Sequence, residues 1–378
     1  MVHVLQKVDP ENKYWQELQL NKAVKETEGA FAITDKKERE QKLIEINDAF
    51  DEKINDPDYA RKLFLVEDCI YGVDKQEIAA QISKLRFFIS LIVDQKVDKD
   101  KPNFGIRALP NLETKFVAAN TLIGIEKPKN QMSLFENQEV KELEKQLKNV
   151  RHRIFSAKSP GTKRRLRDKD KEIREKMGKL LVENGWANET AKQLASWDPY
   201  DQNASSPFFD SEWMFDIKDG FDVVVGNPPY VFTRDVDFDG NFKNYIEKEY
   251  FSKIKRGRKS KANQSGKINL FAVFILKGIF LSKKKGCLTY IVPNNILRTT
   301  TYDIIRKYIL ENSHINQIVD LESGIFDNVT ASTIILNIQK QATTNNTKII
   351  TAINKLENLD FSVSIIDQLQ FKENVSCS

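Results

Sequence analysis

The stretch Phe221-Asp222-Val223-Val224-Val225-Gly226-Asn227-Pro228-Pro229-Tyr230 constrains this chain more than any other. Its apolar run suits a strand buried on both faces, as in a parallel sheet. The run stops at Gly226 and a Pro-Pro pair. Neither proline can donate a backbone hydrogen bond, so the strand must end there. The pattern predicts a stiff turn at the carboxyl end of a central strand, where open α/β sheets bind ligands. The turn offers an amide, backbone carbonyls and a phenol. That set suits a flat, amino-bearing ring: Asn227 and the Pro228 carbonyl accept from an NH2 group, and Tyr230 stacks on the ring.

Hydrophobic residues make up 40% of the 378-residue chain and charged residues 30%, enough for a globular core in two or three domains. There is no uninterrupted apolar run of membrane length, and Met1–Lys7 lacks a signal-peptide pattern. Cys69, Cys287 and Cys377 are scattered and odd in number, which points to a reducing cytoplasm, with neither a disulfide frame nor a zinc site. His3, His152 and His314 are isolated, so no metal site is expected. The net charge of +5 is mild, but its distribution is not. Positions 141–176 hold 14 Lys/Arg against 6 Asp/Glu. A second cluster, Lys253, Lys255, Arg256, Arg258, Lys259, Lys261 and Lys267, contains no acid. Such clusters are the footprint of a polyanionic partner. A solvated helix face is the alternative, with even weight for the first cluster and less for the second.

Taken in order, residues 11–68 read as helices. Trp15, Leu18, Leu20 and Val24 form a loose face, Asp56-Pro57 a helix start, and Tyr59, Leu63, Leu65 and Val66 an inner face. A short strand over Cys69–Asp74 follows, then a helix with Ile78, Ile82, Leu85, Ile89 and Ile92 at helical spacing. In Rossmann-like sheets an acid at the end of the second strand binds ribose hydroxyls, and Asp74 stands there. A helix N-cap is the plainer role. The next strand, about 115–119, ends at Asn120, placed either to meet an adenine amino group or simply to make a turn. Residues 130–200 read as an inserted basic helical hairpin, broken at Ser159-Pro160-Gly161-Thr162. Residues 231–267 mix lysines with aromatics, which suits phosphate contact and base stacking. Asn269–Phe274 starts an amphipathic helix, and Gly286–Val292 is a strand stopped by Pro293-Asn294-Asn295. A helix at 299–311 and strands at Ile315–Leu321 and Thr330–Ile338 complete an α/β sheet whose last core strand can run antiparallel. Residues 341–378 are less patterned and are expected to be a linker or the start of a target-recognition region.

Asn227-Pro228-Pro229-Tyr230 after an apolar strand resembles the catalytic motif of the N6-adenine DNA methyltransferases. With Tyr71–Asp74, Leu109–Leu122, Asn269–Phe274, Gly286–Leu297 and Asp320–Ile338 in the same order, the chain is similar to the methylase part of type IIG restriction–modification enzymes. The resemblance implies a Rossmann-like methyltransferase core over 69–340, behind a helical segment at 1–68. It implies S-adenosyl-L-methionine as methyl donor, with Asp74, Asn120 and Asn227 facing it. Asn227, Pro228, Pro229 and Tyr230 would be catalytic, and double-stranded DNA the substrate, held by Lys253, Lys255, Arg256, Arg258, Lys259 and Lys261. A cytoplasmic restriction–modification or phage-defence enzyme is the expected whole, and no membrane is expected as a partner.

One departure matters. The family opens its cofactor site with a strand and a Gly-rich turn that lets backbone amides approach the methionine moiety. No such segment precedes Tyr71. The sheet is therefore expected to lack its first strand, and an upstream fragment or specificity subunit is expected to supply it. Two rivals stand beside this reading. One is an inactive fragment that only binds DNA or a partner subunit. The other is a methyltransferase acting on RNA or on a protein glutamine.

Overall fold

Every buried backbone N–H and C=O needs a partner, and this requirement sorts the segments into helices and sheet. The computed structural model describes residues 2–93, 95, 97–100, 102–106, 108–126, 138–232, 240–254, 269–321, 332–341, 346–352, 361–368, 370 and 371. The architecture is mixed α/β with a helical amino-terminal segment, as expected. Contacts divide the chain into two units, Met1–Asp216 and Ile217–Ser378. The span 69–340, expected as one core, contributes to both.

The first unit opens on helices α1 (Val2–Val8), α2 (Lys13–Phe31), α3 (Lys36–Asn55) and α4 (Pro57–Phe64). Pro57 occupies the first turn of α4, where a missing N–H is harmless. Trp15, Tyr59, Leu65 and Val66 are buried as the spacing predicts, but Leu18, Leu20 and Val24 are exposed. The buried line of α2 is narrower than its apolar pattern and runs through Trp15, Gln19 and Ala30. After α4 a π-turn covers Leu65–Cys69, so Cys69 is helical rather than the start of a strand. Val66 is held in a cluster with Leu112, Phe116 and Phe155, which keeps this turn wound.

The strand that follows, β1 (Gly72–Asp74), pairs in parallel with β2 (Phe116–Ala118), and Asp74 lies opposite Ala118. Between them runs α5 (Glu77–Val93). The inserted hairpin consists of α6 (Gln138–Ser156) and α7 (Pro160–Glu183), followed by α8 (Asn188–Ser196) and α9 (Ser211–Phe215). Ser159 caps α7 by accepting from the Thr162 N–H at 3.1 Å. The hairpin is locked by a buried charge network. Asp170, fully buried, accepts from Arg174 Nε at 2.7 Å, Arg151 Nε at 3.0 Å and the Tyr200 hydroxyl at 3.1 Å. Arg174 also donates to the Ala195 carbonyl at 2.8 Å and to the Trp197 carbonyl. The Asn111 amide donates to the carbonyls of Ile154 (2.7 Å) and Ala157 (3.0 Å), pinning the hairpin bend to the approach to β2.

The second unit holds β3 (Phe221–Gly226), α10 (Gly240–Ile246), the short α11 (Ser252–Ile254), α12 (Leu270–Leu281), β4 (Ser282–Pro293) and α13 (Asp303–Asn312). Strands β5 (His314–Asp320), β6 (Thr333–Gln339), β7 (Asn346–Ala352) and β8 (Phe361–Asp367) complete a six-stranded sheet of order β3-β4-β6-β5-β7-β8. The β3–β4 and β5–β7 pairs are parallel; β4–β6, β5–β6 and β7–β8 are antiparallel. The antiparallel last core strand is thus β6. Within residues 341–378, expected to be a linker or the start of a target-recognition region, lie β7 and β8. Helix α12 is buried nearly all round, including Phe271, Ala272, Val273, Ile275 and Leu276. No helix among the described residues is long and apolar enough to cross a membrane.

One expectation about β3 is corrected. Val223 is 59% exposed and Val225 74% exposed, so the strand is not buried on both faces. It hydrogen-bonds β4 along one side and, among the described residues, no strand along the other.

The buried network predicts a sharp stability loss. Asp170→Asn leaves Arg151 without its charge partner and Arg174 with only the half-exposed Asp198 at 3.7 Å, which should lower unfolding stability by about 3–5 kcal/mol. Urea denaturation of the purified chain measures it, and a loss below about 1 kcal/mol would mean the network behaves as an exposed one.

Candidate active site

Three backbone facts position the Asn-Pro-Pro-Tyr turn. Strand β3 runs in register with β4 as far as the Gly226–Tyr290 pair, and the prolines then end the ladder. At Gly226 an added Cβ would lie 2.9 Å from the Tyr290 ring, so only glycine lets the two strands close here. Beyond the turn the Leu270 N–H donates to the Val231 carbonyl at 2.8 Å, and Phe232 bridges to Asn269. The exit of the turn is therefore sewn to the start of α12.

Within the turn Pro228 is buried, Asn227 and Pro229 are exposed, and Tyr230 is half-buried. The Tyr230 hydroxyl donates to the Ile291 carbonyl at 3.1 Å. Its ring meets Phe271 edge-to-face, with centroids 6.2 Å apart, and Phe271 in turn packs on Tyr302 at 5.3 Å. Burial pushes the Tyr230 phenol above its ordinary range, so it remains a donor at neutral pH. Asn269 caps α12 by accepting from the Phe271 N–H at 3.3 Å, which fixes the helix that carries Phe271. Sequence reasoning missed this support. Its one readable signal was an Asn directly before an apolar helix. The partner carbonyl of Ile291 leaves no trace in side-chain pattern.

Asp74 and Asn120 both stand at the carboxyl end of the parallel β1–β2 pair, in the first unit. Each has a local task. One Asp74 oxygen accepts from the Gln76 N–H at 2.9 Å, and the Asn120 oxygen accepts from the Leu122 N–H at 3.2 Å. Asp74 is exposed and borders an open cleft of about 450 Å3, also lined by Gly72, Ser83, Arg86 and Ser90. Its second carboxylate oxygen can still accept from a ligand. Tyr71, in the same stretch of sequence, is a packing residue. Its ring lies under the Lys115 ammonium at 4.6 Å and against Phe215 at 4.9 Å, and burial pushes its phenol up to about 12.

Of the expected DNA-contacting cations, Lys253 pairs with Glu249 at 2.7 Å along one helical face. Lys255, Arg256, Arg258, Lys259 and Lys261 lie outside the described residues, as does Lys267. The hairpin cations divide into two sets. Arg151 and Arg174 belong to the Asp170 network, Arg167 pairs with Glu113 at 2.9 Å, and Lys148 with Asp216 at 2.5 Å. Lys169 and Lys176 both meet Glu172. Arg153, Lys158, Lys163, Arg164 and Arg165 have no acidic partner among the described residues, and neither do Lys141, Lys145 and Lys171 of the hairpin body.

A strand that ends on a rigid Asn-Pro-Pro-Tyr turn, in a mixed α/β chain, is the pattern of a methylase. The chain belongs to the Eco57I restriction-modification methylase family, whose model matches residues 68–326. It is 24% identical over 344 residues to RM.MjaORFECS2P of Methanocaldococcus jannaschii, covering 75% of this chain and 27% of that protein. It is 30% identical over 122 residues to RM.Eco57I of Escherichia coli, a type II restriction enzyme and methyltransferase, covering 32% of this chain and 11% of that one. The chain therefore spans at most about a quarter of the length of these curated relatives. Among solved structures, the type IIG restriction endonuclease BpuSI aligns over 92% of this chain and 49% of its own, at 13% identity and a TM-score of 0.36, too loose a likeness to support an argument.

The anchoring of Tyr230 makes a prediction. Tyr230→Phe keeps the ring and loses one hydrogen bond, which should cost about 0.5–1.5 kcal/mol of stability and leave substrate engagement mildly affected. Tyr230→Ala removes the ring and should weaken substrate binding much more. Binding titrations of both variants check this, and equal damage from Phe and Ala would exclude stacking.

Proposed function

We propose that this chain carries the methyl-transfer part of a site-specific DNA methyltransferase that modifies the N6 amine of adenine with S-adenosylmethionine as donor, within a restriction–modification system. The observation that carries the reading is the rigid turn at the end of β3, with Asn227 exposed and Tyr230 held at its far side by Ile291 and Phe271. Family membership supports the methylase reading. The choice of adenine rests on the Asn-Pro-Pro-Tyr motif.

The amine of adenine is a weak nucleophile because its lone pair is delocalised into the ring. The Asn227 amide oxygen and the Pro228 carbonyl accept its two hydrogens. That arrangement favours a pyramidal nitrogen with a localised lone pair. Because the turn is fixed beforehand, the acceptors need no reorganisation during reaction. Tyr230 stacks on a base that has left the duplex. Bound S-adenosylmethionine would supply the methyl group, leaving as the thioether, and the amine held by Asn227 and Pro228 would release one proton to solvent. The second oxygen of Asp74 would hold the ribose of that donor, and Asn120, one strand over, would stand near its base.

With a fragment bearing the Gly-rich turn supplied, Asn227→Ala should lower methylation of DNA by at least about 100-fold with an unchanged circular dichroism melt. Turnover within a few-fold of wild type, followed as tritium transferred to duplex, would sink the assignment.

A partner belongs to the proposal. The edge of β3 that meets no strand among the described residues supports an upstream fragment or subunit that contributes a strand there, and the exposed Val223 and Val225 give it an apolar face to cover. The chain alone should then bind S-adenosylmethionine weakly, and a fragment bearing a Gly-rich turn should strengthen binding. Micromolar affinity of the 378-residue chain by isothermal titration would show that its cofactor site is complete.

A further inference from the structure

The bend of the inserted hairpin concentrates positive charge in a way that the fold does not use. From Arg153 to Lys169 the chain carries seven Lys/Arg and a single acid, Asp168. Two of the seven have ion-pair partners, Arg167 with Glu113 and Lys169 with Glu172. The other five, Arg153, Lys158, Lys163, Arg164 and Arg165, flank the bend on both sides. All but the half-buried Lys163 are exposed.

Three of the five lie in the first two turns of α7, whose first turn contains no acid. Cations near a helix amino terminus oppose the macrodipole, Lys163 at the end of the first turn most of all. They also repel one another. A local rule broken with no internal compensation is the mark of a functional surface. The bend is at the same time held firmly. The Asn111 amide grips the carbonyls of Ile154 and Ala157, the Asn111 N–H donates to the Phe155 carbonyl at 2.9 Å, and Ser159 caps α7. Behind it the Asp170 network fixes α6, α7 and the Trp197 segment together. A rigid mount under a cluster of unpaired cations is an arrangement for meeting a fixed array of anions with little loss of conformational entropy.

We infer that the hairpin bend, through Arg153, Lys158, Lys163, Arg164 and Arg165, is a docking surface for the phosphate backbone of duplex DNA, and that the cations along the body of the hairpin are not. The inference rests on the DNA-methylation reading above and refines it. A contact of this kind reads no sequence: it sets position and orientation on the duplex and adds to affinity on any DNA.

The test compares two five-site variants of the full chain with the same change in net charge. In one, Arg153, Lys158, Lys163, Arg164 and Arg165 are replaced by Gln. In the other, Gln replaces the exposed lysines Lys141, Lys145, Lys171, Lys176 and Lys179. Fluorescence anisotropy with a labelled duplex of mixed sequence, across a salt series, gives affinity and its salt slope. Melting curves confirm that both variants fold. The bend variant should lose about tenfold or more in affinity, and its slope should flatten by about 0.9 for each phosphate contact removed. The body variant should lose little. Equal losses in the two variants would overturn the inference, because bulk charge would then explain the binding. So would an unchanged slope in the bend variant. If the wild-type chain bound no duplex at all, this inference and the DNA reading would fall together, whereas methylation of duplex with an indifferent bend would overturn only the former.

Discussion

A proline cannot donate to a ladder, and two in succession end a strand without recourse. That constraint organises the second unit. Strand β3 pairs with β4 up to Gly226, and the chain must then leave the sheet at its carboxyl end. It does so under control. Its exit is tied to α12 through the Val231 carbonyl and the Asn269 bridge, and α12 is itself a buried apolar helix. The turn inherits its stiffness from the proline rings and its placement from α12, so the two acceptors proposed for catalysis are held by elements that do not themselves meet the substrate.

The first unit reaches rigidity by other means. Its sheet is two short strands, too small to order much around it. Charge and amide networks take over that task. Asp170 gathers Arg151, Arg174 and Tyr200 into one buried node, and Asn111 fastens the hairpin bend. Buried ion pairs add little net stability compared with apolar packing, but they tolerate only one arrangement. Here that property fixes where α6 and α7 point.

The sequence disclosed what depends on local pattern. Helix starts at Asp56-Pro57 and near Ser159-Pro160, the strand before Asn-Pro-Pro-Tyr and the antiparallel β6 could all be read from periodicity and breakers. It concealed what depends on distant partners. Cations at 141–176 read as one basic face, because nothing local marks Arg151 and Arg174 as belonging to Asp170, or Arg167 to Glu113. The apolar run of β3 read as a buried strand, although strand chemistry alone does not say how many neighbours a strand has. Strands β7 and β8 were missed because polar residues interrupt both. Asp74 and Asn120 were found as strand-end polar residues, but their bonds to their own loops appear only in three dimensions.

The open side of β3 has a consequence for how the protein is made. A largely apolar strand whose outer edge meets no other strand among the described residues can accept any extended segment that reaches it, so during synthesis it is open to pairing with other nascent chains. Asp222 interrupts the apolar run at its start, with its carboxylate largely exposed and in an ion pair with Lys283. A charge in that position acts as a gatekeeper: it makes stacking of like copies unfavourable, while a segment able to accommodate the pair can still enter. Solubility thus hangs on a residue outside the core: without that charge the run Phe221–Gly226 would be apolar from end to end.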